Sequence, residues 1–306
     1  MSTLTPLDDL TTPILWYREE NGRSVHRHEY GYHFLSDNGD HRRLDVQHHL
    51  WYLTLDGNLS LAPLSDNVDS VRRVLDLGTG TGLWATDFAE EHSASEVTAV
   101  DLKPTVPRFN PSNVTFSTFN YESEWSFPHK FNYIHSRMAN SSVADWPSYI
   151  RKAYEALAPN GHLELQEFHL ATTSSPQDTS SPLLRTTPLI STSASQSGRP
   201  LVDLSALPSL LVSAGFKDVT IAYEGRWPSN HRWPHDDKEK ELGRWNYVNF
   251  VSGVGGFLAW FLPKLGWKAE EIERLVEEVK GDVGDGGRKA FWPVIVIYGR
   301  KPRDGE

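Results

Sequence analysis

Residues 74–82 read VLDLGTGTG, and after a second apolar run, EVTAV at 96–100, the chain places a carboxylate at Asp101. The pattern is an apolar strand ending in Asp76, a turn through Gly78, Gly80 and Gly82, and a helix beginning near Leu83. Glycine opens backbone angles closed to other residues, and without a side chain it lets a ligand approach the main chain. Exposed amides at a helix start favour an anionic group. A carboxylate about 20 residues on, at the end of the next strand, can hold ribose hydroxyls.

The spacing separates ligand classes. A dinucleotide fingerprint, G-x-G-x-x-G, needs glycine at position 83, where Leu83 stands. A P-loop is excluded because no Gly-Lys-Ser/Thr follows. The spacing present is G-x-G-x-G preceded by Asp, which resembles the first motif of class I S-adenosylmethionine-dependent methyltransferases.

Outward from this stretch the text alternates. VRRVLDL, EVTAVD, NVTFSTF, FNYIHS and HLELQEF read as strands, GLWATDFAEEH and DWPSYIRKAYEALA as helices. The second helix has Pro147 in its first turn and is stopped by Pro159-Asn160-Gly161. Strands alternating with helices imply a mostly parallel sheet covered on both faces. Upstream, Leu44, His48, Leu50, Trp51 and Leu55 recur at near-helical spacing, so a helix is expected over about 41–55. Residues 171–203 are dominated by Ser, Thr and Pro and read as a long loop. Beyond it come a helix closed by Gly215, the strand KDVTIAY, a helical insertion over 238–280 and a final apolar strand, FWPVIVIYGRKP. Two regions are expected: an N-terminal helical extension at 1–70 and the main domain at 71–306.

The 306 residues carry 30 basic and 40 acidic side chains, a net charge of −10. That argues against a general nucleic-acid binder and against docking on an anionic membrane. No cysteine is present, which removes disulfides, thiolate metal sites and a cysteine nucleophile. The N-terminus lacks a basic start and an apolar core, so no signal peptide is expected. The longest weakly charged apolar stretch, Tyr247–Leu262, is shorter than the ~20 residues that span a bilayer. A cytoplasmic location is expected, with a nuclear one left open, and no expectation arises for oligomeric state.

The chain also resembles the fungal LaeA-like methyltransferases, a branch associated with secondary metabolism. The blocks that carry the resemblance are YGYHFLSDNGDHRRLDVQHHLWYLTLDGNLSLAPL, LDLGTGTGLWATDFAEEH, FNYIHSRM, DWPSYIRKAYEALAPNGHLELQEF and the C-terminal WPHDDKEKELGRWNYVNFVSGVGGFLAWFLPKLGW. The resemblance implies a Rossmann-like class I methyltransferase fold, a seven-stranded sheet with an N-terminal helical lid. It implies S-adenosylmethionine as cofactor. Asp76, Gly78, Thr79, Gly80 and Gly82 would hold the methionine end, and Asp101 with Leu102 the ribose. Asn120, with Tyr121 beside it, stands where an Asp usually faces the adenine; Asn keeps one acceptor there. Tyr32, Arg43 and His48 match the N-terminal pattern expected to fold over the cofactor. His135 and Arg137 follow the fourth strand and would face the transfer site, making His48 and His135 the candidate bases near neutral pH.

The remaining histidines, including His26, His28, His33, His41 and His49, form no metal-ligand unit such as His-Glu-x-x-His, and no metal is expected. Trp245, Tyr247, Phe250, Phe257, Trp260 and Phe261 read mainly as core, with some members available to an acceptor pocket. The reading is methyl transfer to oxygen or nitrogen of a small secondary metabolite. A regulator acting through protein partners, a protein methyltransferase, and a cyclase that keeps the fold without methylating stay open.

Overall fold

The computed structural model describes residues 17–20, 23–26, 38–64, 71–107, 109–173, 181–284 and 289–306. Tyr32 lies outside them, so its expected cofactor contact does too, as do Tyr30, Phe34, His28 and His33.

The extension opens with a hairpin, β1 (Tyr17–Glu20) against β2 (Arg23–His26), which its sequence did not suggest. Helix α1 (Asn38–Thr54) starts three residues before the expected 41–55 and ends one residue before its end. The main sheet is built from β3 (Arg73–Leu77), β4 (Glu96–Asp101), β5 (Val114–Thr118), β6 (Phe131–Arg137), β7 (Leu157–Phe168), the two-residue β8 (Thr172–Thr173), β9 (Lys217–Pro228) and β10 (Ala290–Arg300). Its order is β5-β4-β3-β6-β7-β10, with β9 and β8 both on β10. The β5 to β7 pairings are parallel, and β10 runs antiparallel to each of its neighbours. Against the seven strands expected, the eighth is β8, a short continuation beyond β7.

On one face α3 (Trp146–Ala156) and α5 (Leu207–Ser213) cover Leu75, Ile134, Leu163, Leu165 and Ile297. On the other, α2 (Leu83–Glu91) lays Trp84 and Phe88 over Val74, Val97 and Tyr133. Helix α3 starts where Asp145 accepts a hydrogen bond from the Ser148 amide at 3.0 Å. It stops at Ala156, earlier than expected, because β7 already begins at Leu157. Asn160 takes φ 66° within that strand, and its amide donates to Lys301 O.

A third core forms where α1 meets α4 (Pro182–Gln196), α6 (Asp237–Phe261) and α7 (Ala269–Gly284). Helix α4 corrects the expectation of a loop over 171–203. Ser181 caps it, accepting from the Leu184 amide at 3.1 Å, and Pro182 fills the first turn, where its missing N–H costs nothing. Leu183, Thr186, Ile190, Ser193 and Ala194 then share one buried stripe. The Ser/Thr-rich composition hid that period. Helix α7 shows the expected stripe, Ile272, Leu275, Val276, Val279 and Val283. Helix α6 with the turn after it is long and apolar enough to cross a bilayer by length and composition alone. Here Leu242, Val254, Leu258 and Phe261 pack into the third core.

Candidate active site

The glycine turn is built as its sequence demands. Gly78, Gly80 and Gly82 have φ of 75°, 57° and 79°, which disfavour a side chain. The amides of Gly78 and Thr79 both reach Val100 O, at 2.8 and 3.0 Å, tying the turn to the end of β4. At Gly82 a Cβ would stand 2.6 Å from the Phe116 ring, so this glycine lets α2 start close to the sheet. At Gly78 a Cβ would meet nothing within 4 Å, so that side of the turn is open.

Asp101 ends β4 beside this turn. Its carboxylate accepts from the Gly80 amide at 2.9 Å and the Lys103 amide at 3.2 Å. Desolvation pushes its pKa up, and the two amide bonds work against that shift. Asp76, 2% exposed, bonds His135 Nδ1 through Oδ1 at 2.7 Å. Its Oδ2 and the Thr79 hydroxyl are buried with no partner among the described residues.

Gly80 and Asp101 line a cavity of about 890 Å³. Helix α1 contributes His41, Arg43, Leu44 and Gln47 to the same wall, with Leu44 3.5 Å from the point where a Gly80 Cβ would stand. Thus α1 lies over the glycine turn rather than behind the sheet. Beyond the turn the cavity widens into a chamber walled by α4, α6 and α7. Phe168, Trp227, Phe250, Phe257, Trp260 and Trp292 face it. Three of the aromatics read mainly as core, Phe250, Phe257 and Trp260, therefore serve the cavity.

The two candidate histidines are placed differently. His135 is 1% exposed, covered by Trp84 stacked at 3.7 Å, and does not line the cavity. Because a carboxylate only accepts, Nδ1 carries the proton toward Asp76. His48 is held at both nitrogens. Arg137 Nη2 donates to Nδ1 at 3.0 Å, so the ring proton sits on Nε2 and points at Asp87 Oδ2, 2.8 Å away. Desolvation lowers the His48 pKa; the Asp87 bond opposes this and the Arg137 charge adds to it. Neither ring lines the cavity; both His48 nitrogens are taken, and His135 Nε2 is buried with no partner among the described residues.

His41 does line the cavity, with Nε2 3.4 Å from Thr105 Oγ1. The sequence reading grouped it only with the metal candidates. Its signal was its place seven residues, two turns, before His48 on the same helix. Among the described residues no group of three His, Asp or Glu side chains can hold a metal ion. Asn120 spends Oδ1 on the Glu122 amide at 3.0 Å, Tyr121 sits edge-on to Tyr149 at 5.4 Å, and Leu102 is half-buried. None of the three lines the cavity.

The other buried carboxylates serve the scaffold. Glu164 accepts from the Leu61 and Ala62 amides at 2.9 and 2.6 Å, and Gln166 donates to Leu59 O at 3.0 Å. Glu167, on the opposite face, accepts from the Ala139 and Asn140 amides, and burial raises its pKa to about 8.

An open sheet of this order with a glycine turn after its first strand and a carboxylate after its second defines a class I methyltransferase. The methyltransferase domain family matches residues 47–221, more than half of the chain. Methyltransferase pytC of Aspergillus terreus is 32% identical over 99% of this chain and 93% of its own length. The secondary metabolism regulator laeA of Aspergillus fumigatus is 29% identical over 93% of this chain and 76% of its own. Among solved structures, Haemonchus contortus phosphoethanolamine N-methyltransferase 2 with S-adenosyl-L-methionine superposes with a TM-score of 0.51. It is 16% identical, over 94% of this chain and 71% of that one. The chain belongs to the fungal LaeA-like class I methyltransferase family.

Proposed function

We propose that the protein methylates a small-molecule secondary metabolite, with S-adenosylmethionine as cofactor. The observation that carries this reading is the continuity of one cavity from Gly80 and Asp101 into the aromatic chamber under α6. The residues fit the cofactor. The turn is open at Gly78, buried acceptor atoms stand ready at Asp76 and Thr79, and Asp101 suits ribose hydroxyls. Asp76, Gly78, Thr79 and Gly80 would hold the methionine end, and Asp101 with Leu102 the ribose. Asn120 and Tyr121 lie on the adenine side.

When bound, the cofactor supplies a methyl group already activated by its sulfonium. The protein has to place the acceptor behind that methyl and exclude water. Helix α1 roofs the turn, and α6 with α4 closes the chamber. A proton leaving the acceptor has His41 as the histidine on the cavity wall. His48 and His135 position Arg137 and Asp76. The catalytic roles first given to them pass to support of the cradle, with His48 also tying the roof to Asp87.

Incubation with fungal extract and methyl-deuterated cofactor tests the reading. A labelled small molecule is expected. A labelled polypeptide supports protein methylation, and an unlabelled new product supports cyclisation; either outcome overturns it.

A further inference from the structure

Along α6, Leu242, Phe250, Val254 and Leu258 follow one another at helical spacing on the face that meets the third core and its chamber. Asn246 interrupts this apolar series. It is 2% exposed and lines the cavity. Its Nδ2 donates to Pro228 O at 2.9 Å and to Trp227 O at 3.5 Å. Only the amide nitrogen can serve a carbonyl, so the orientation of the group is fixed. Oδ1 is left as an acceptor that takes no hydrogen bond from the described residues. Asn246 lines the cavity, so this oxygen is an acceptor available to a donor on a molecule bound there.

The wall around it has a distinct chemistry. Phe250 and Trp292 pack with centroids 4.7 Å apart, and Trp227 lies over Phe168 with an interplanar angle of 20°. Among the charged lining groups, Lys103 stands toward the glycine turn, Glu273 and Glu277 are exposed on α7, and Arg43 crosses α6 beside Gly253 with Nη1 3.4 Å from Asn249 Oδ1.

We propose that the acceptor is an extended aromatic molecule carrying an O–H or N–H donor, which Asn246 Oδ1 reads while aromatic side chains hold its rings. This rests on the methyltransferase reading of the same cavity. The donor orients the molecule; Asn246 is a specificity residue, not a base.

The test uses 2-naphthol and its donorless ether, 2-methoxynaphthalene, titrated by calorimetry with and without S-adenosylhomocysteine. The full-length protein is expected to bind the naphthol about tenfold tighter than the ether. Asn246→Leu should abolish the preference by losing naphthol affinity. A second variant covers the case in which that one fails to fold. A Cβ at Gly255 meets only Val276 Cγ1, at 3.9 Å, and leaving glycine favours the helix. Gly255→Leu should therefore fold and fill the chamber, abolishing binding of both probes while S-adenosylhomocysteine still binds. Equal affinity for the two probes in the unmodified protein, or undiminished binding in Gly255→Leu, overturns the proposal. A retained naphthol preference without any S-adenosylhomocysteine binding overturns the methyltransferase reading instead.

Discussion

Asp101 is a carboxylate held between two backbone amides, and the same two oxygens are what a ribose would use. Asp101→Ala should weaken S-adenosylhomocysteine binding by about 1.5–3 kcal/mol, the worth of a hydrogen bond to a charged group, as read by calorimetry. Unchanged affinity would remove Asp101 from the site. Glu167 makes a prediction about pH. Its pKa is raised by burial to about 8, so the folded protein keeps its proton while the unfolded chain, near the ordinary 4.5, releases it. The folded state then binds more protons between these values, and stability falls as pH rises from about 4.5 to 8. Glu167→Gln should flatten that slope in thermal melts across the window; an unchanged slope would assign it to other groups. Residue types at the turn were legible in the sequence because only glycine fits those angles. The histidines were not: whether an imidazole faces a cavity or a tryptophan depends on strand register and on which helix crosses above it, as His41 and His135 show.

Helix α1 is more than a cover. Leu50, Trp51 and Leu55 are almost fully buried, Trp51 meets Trp227 edge-on at 4.9 Å, and Thr54 Oγ1 accepts from Trp227 Nε1 at 2.8 Å. Arg43 crosses α6 where a Cβ at Gly253 would stand 2.5 Å from its Cδ. Removing residues 1–56 would expose this surface, since burial of large aromatic side chains contributes strongly to a core. The truncated protein should aggregate or melt far below the full chain in calorimetric scans. A well-folded truncation that binds cofactor as tightly as the full chain would show the helix to be dispensable. The elements themselves were largely legible, because strand and helix periods are strong along 71–168. The exception, α4, carries part of its period in threonines and serines whose hydroxyls find carbonyl partners: Thr186 donates to Leu183 O within the helix, and Ser193 to Phe261 O on α6. Composition alone reads such a stretch as loop.

Taken as a whole, the molecule commits to one nucleoside. With Leu83 in place of the third dinucleotide glycine, S-adenosylhomocysteine at 100 times its dissociation constant should add about 2.7 kcal/mol of stability, and NAD at the same concentration none. Equal melting shifts with both ligands would keep the fold and remove the cofactor assignment. The parallel sheet and the cradle were visible in the sequence as a local pattern, whereas the chamber was not, because it is assembled from α1, α4, α6 and α7, segments far apart in the chain. The residues proposed to hold the cofactor lie between 74 and 121. Most of the cavity wall comes from residues after 180, and α6 and α7 lie outside the 47–221 matched by the methyltransferase domain model, although pytC aligns across them. A lineage can rewrite what it methylates in its last third while leaving untouched the machinery that donates the methyl, and a graft of 181–284 from a relative should carry that relative's taste in substrates with it.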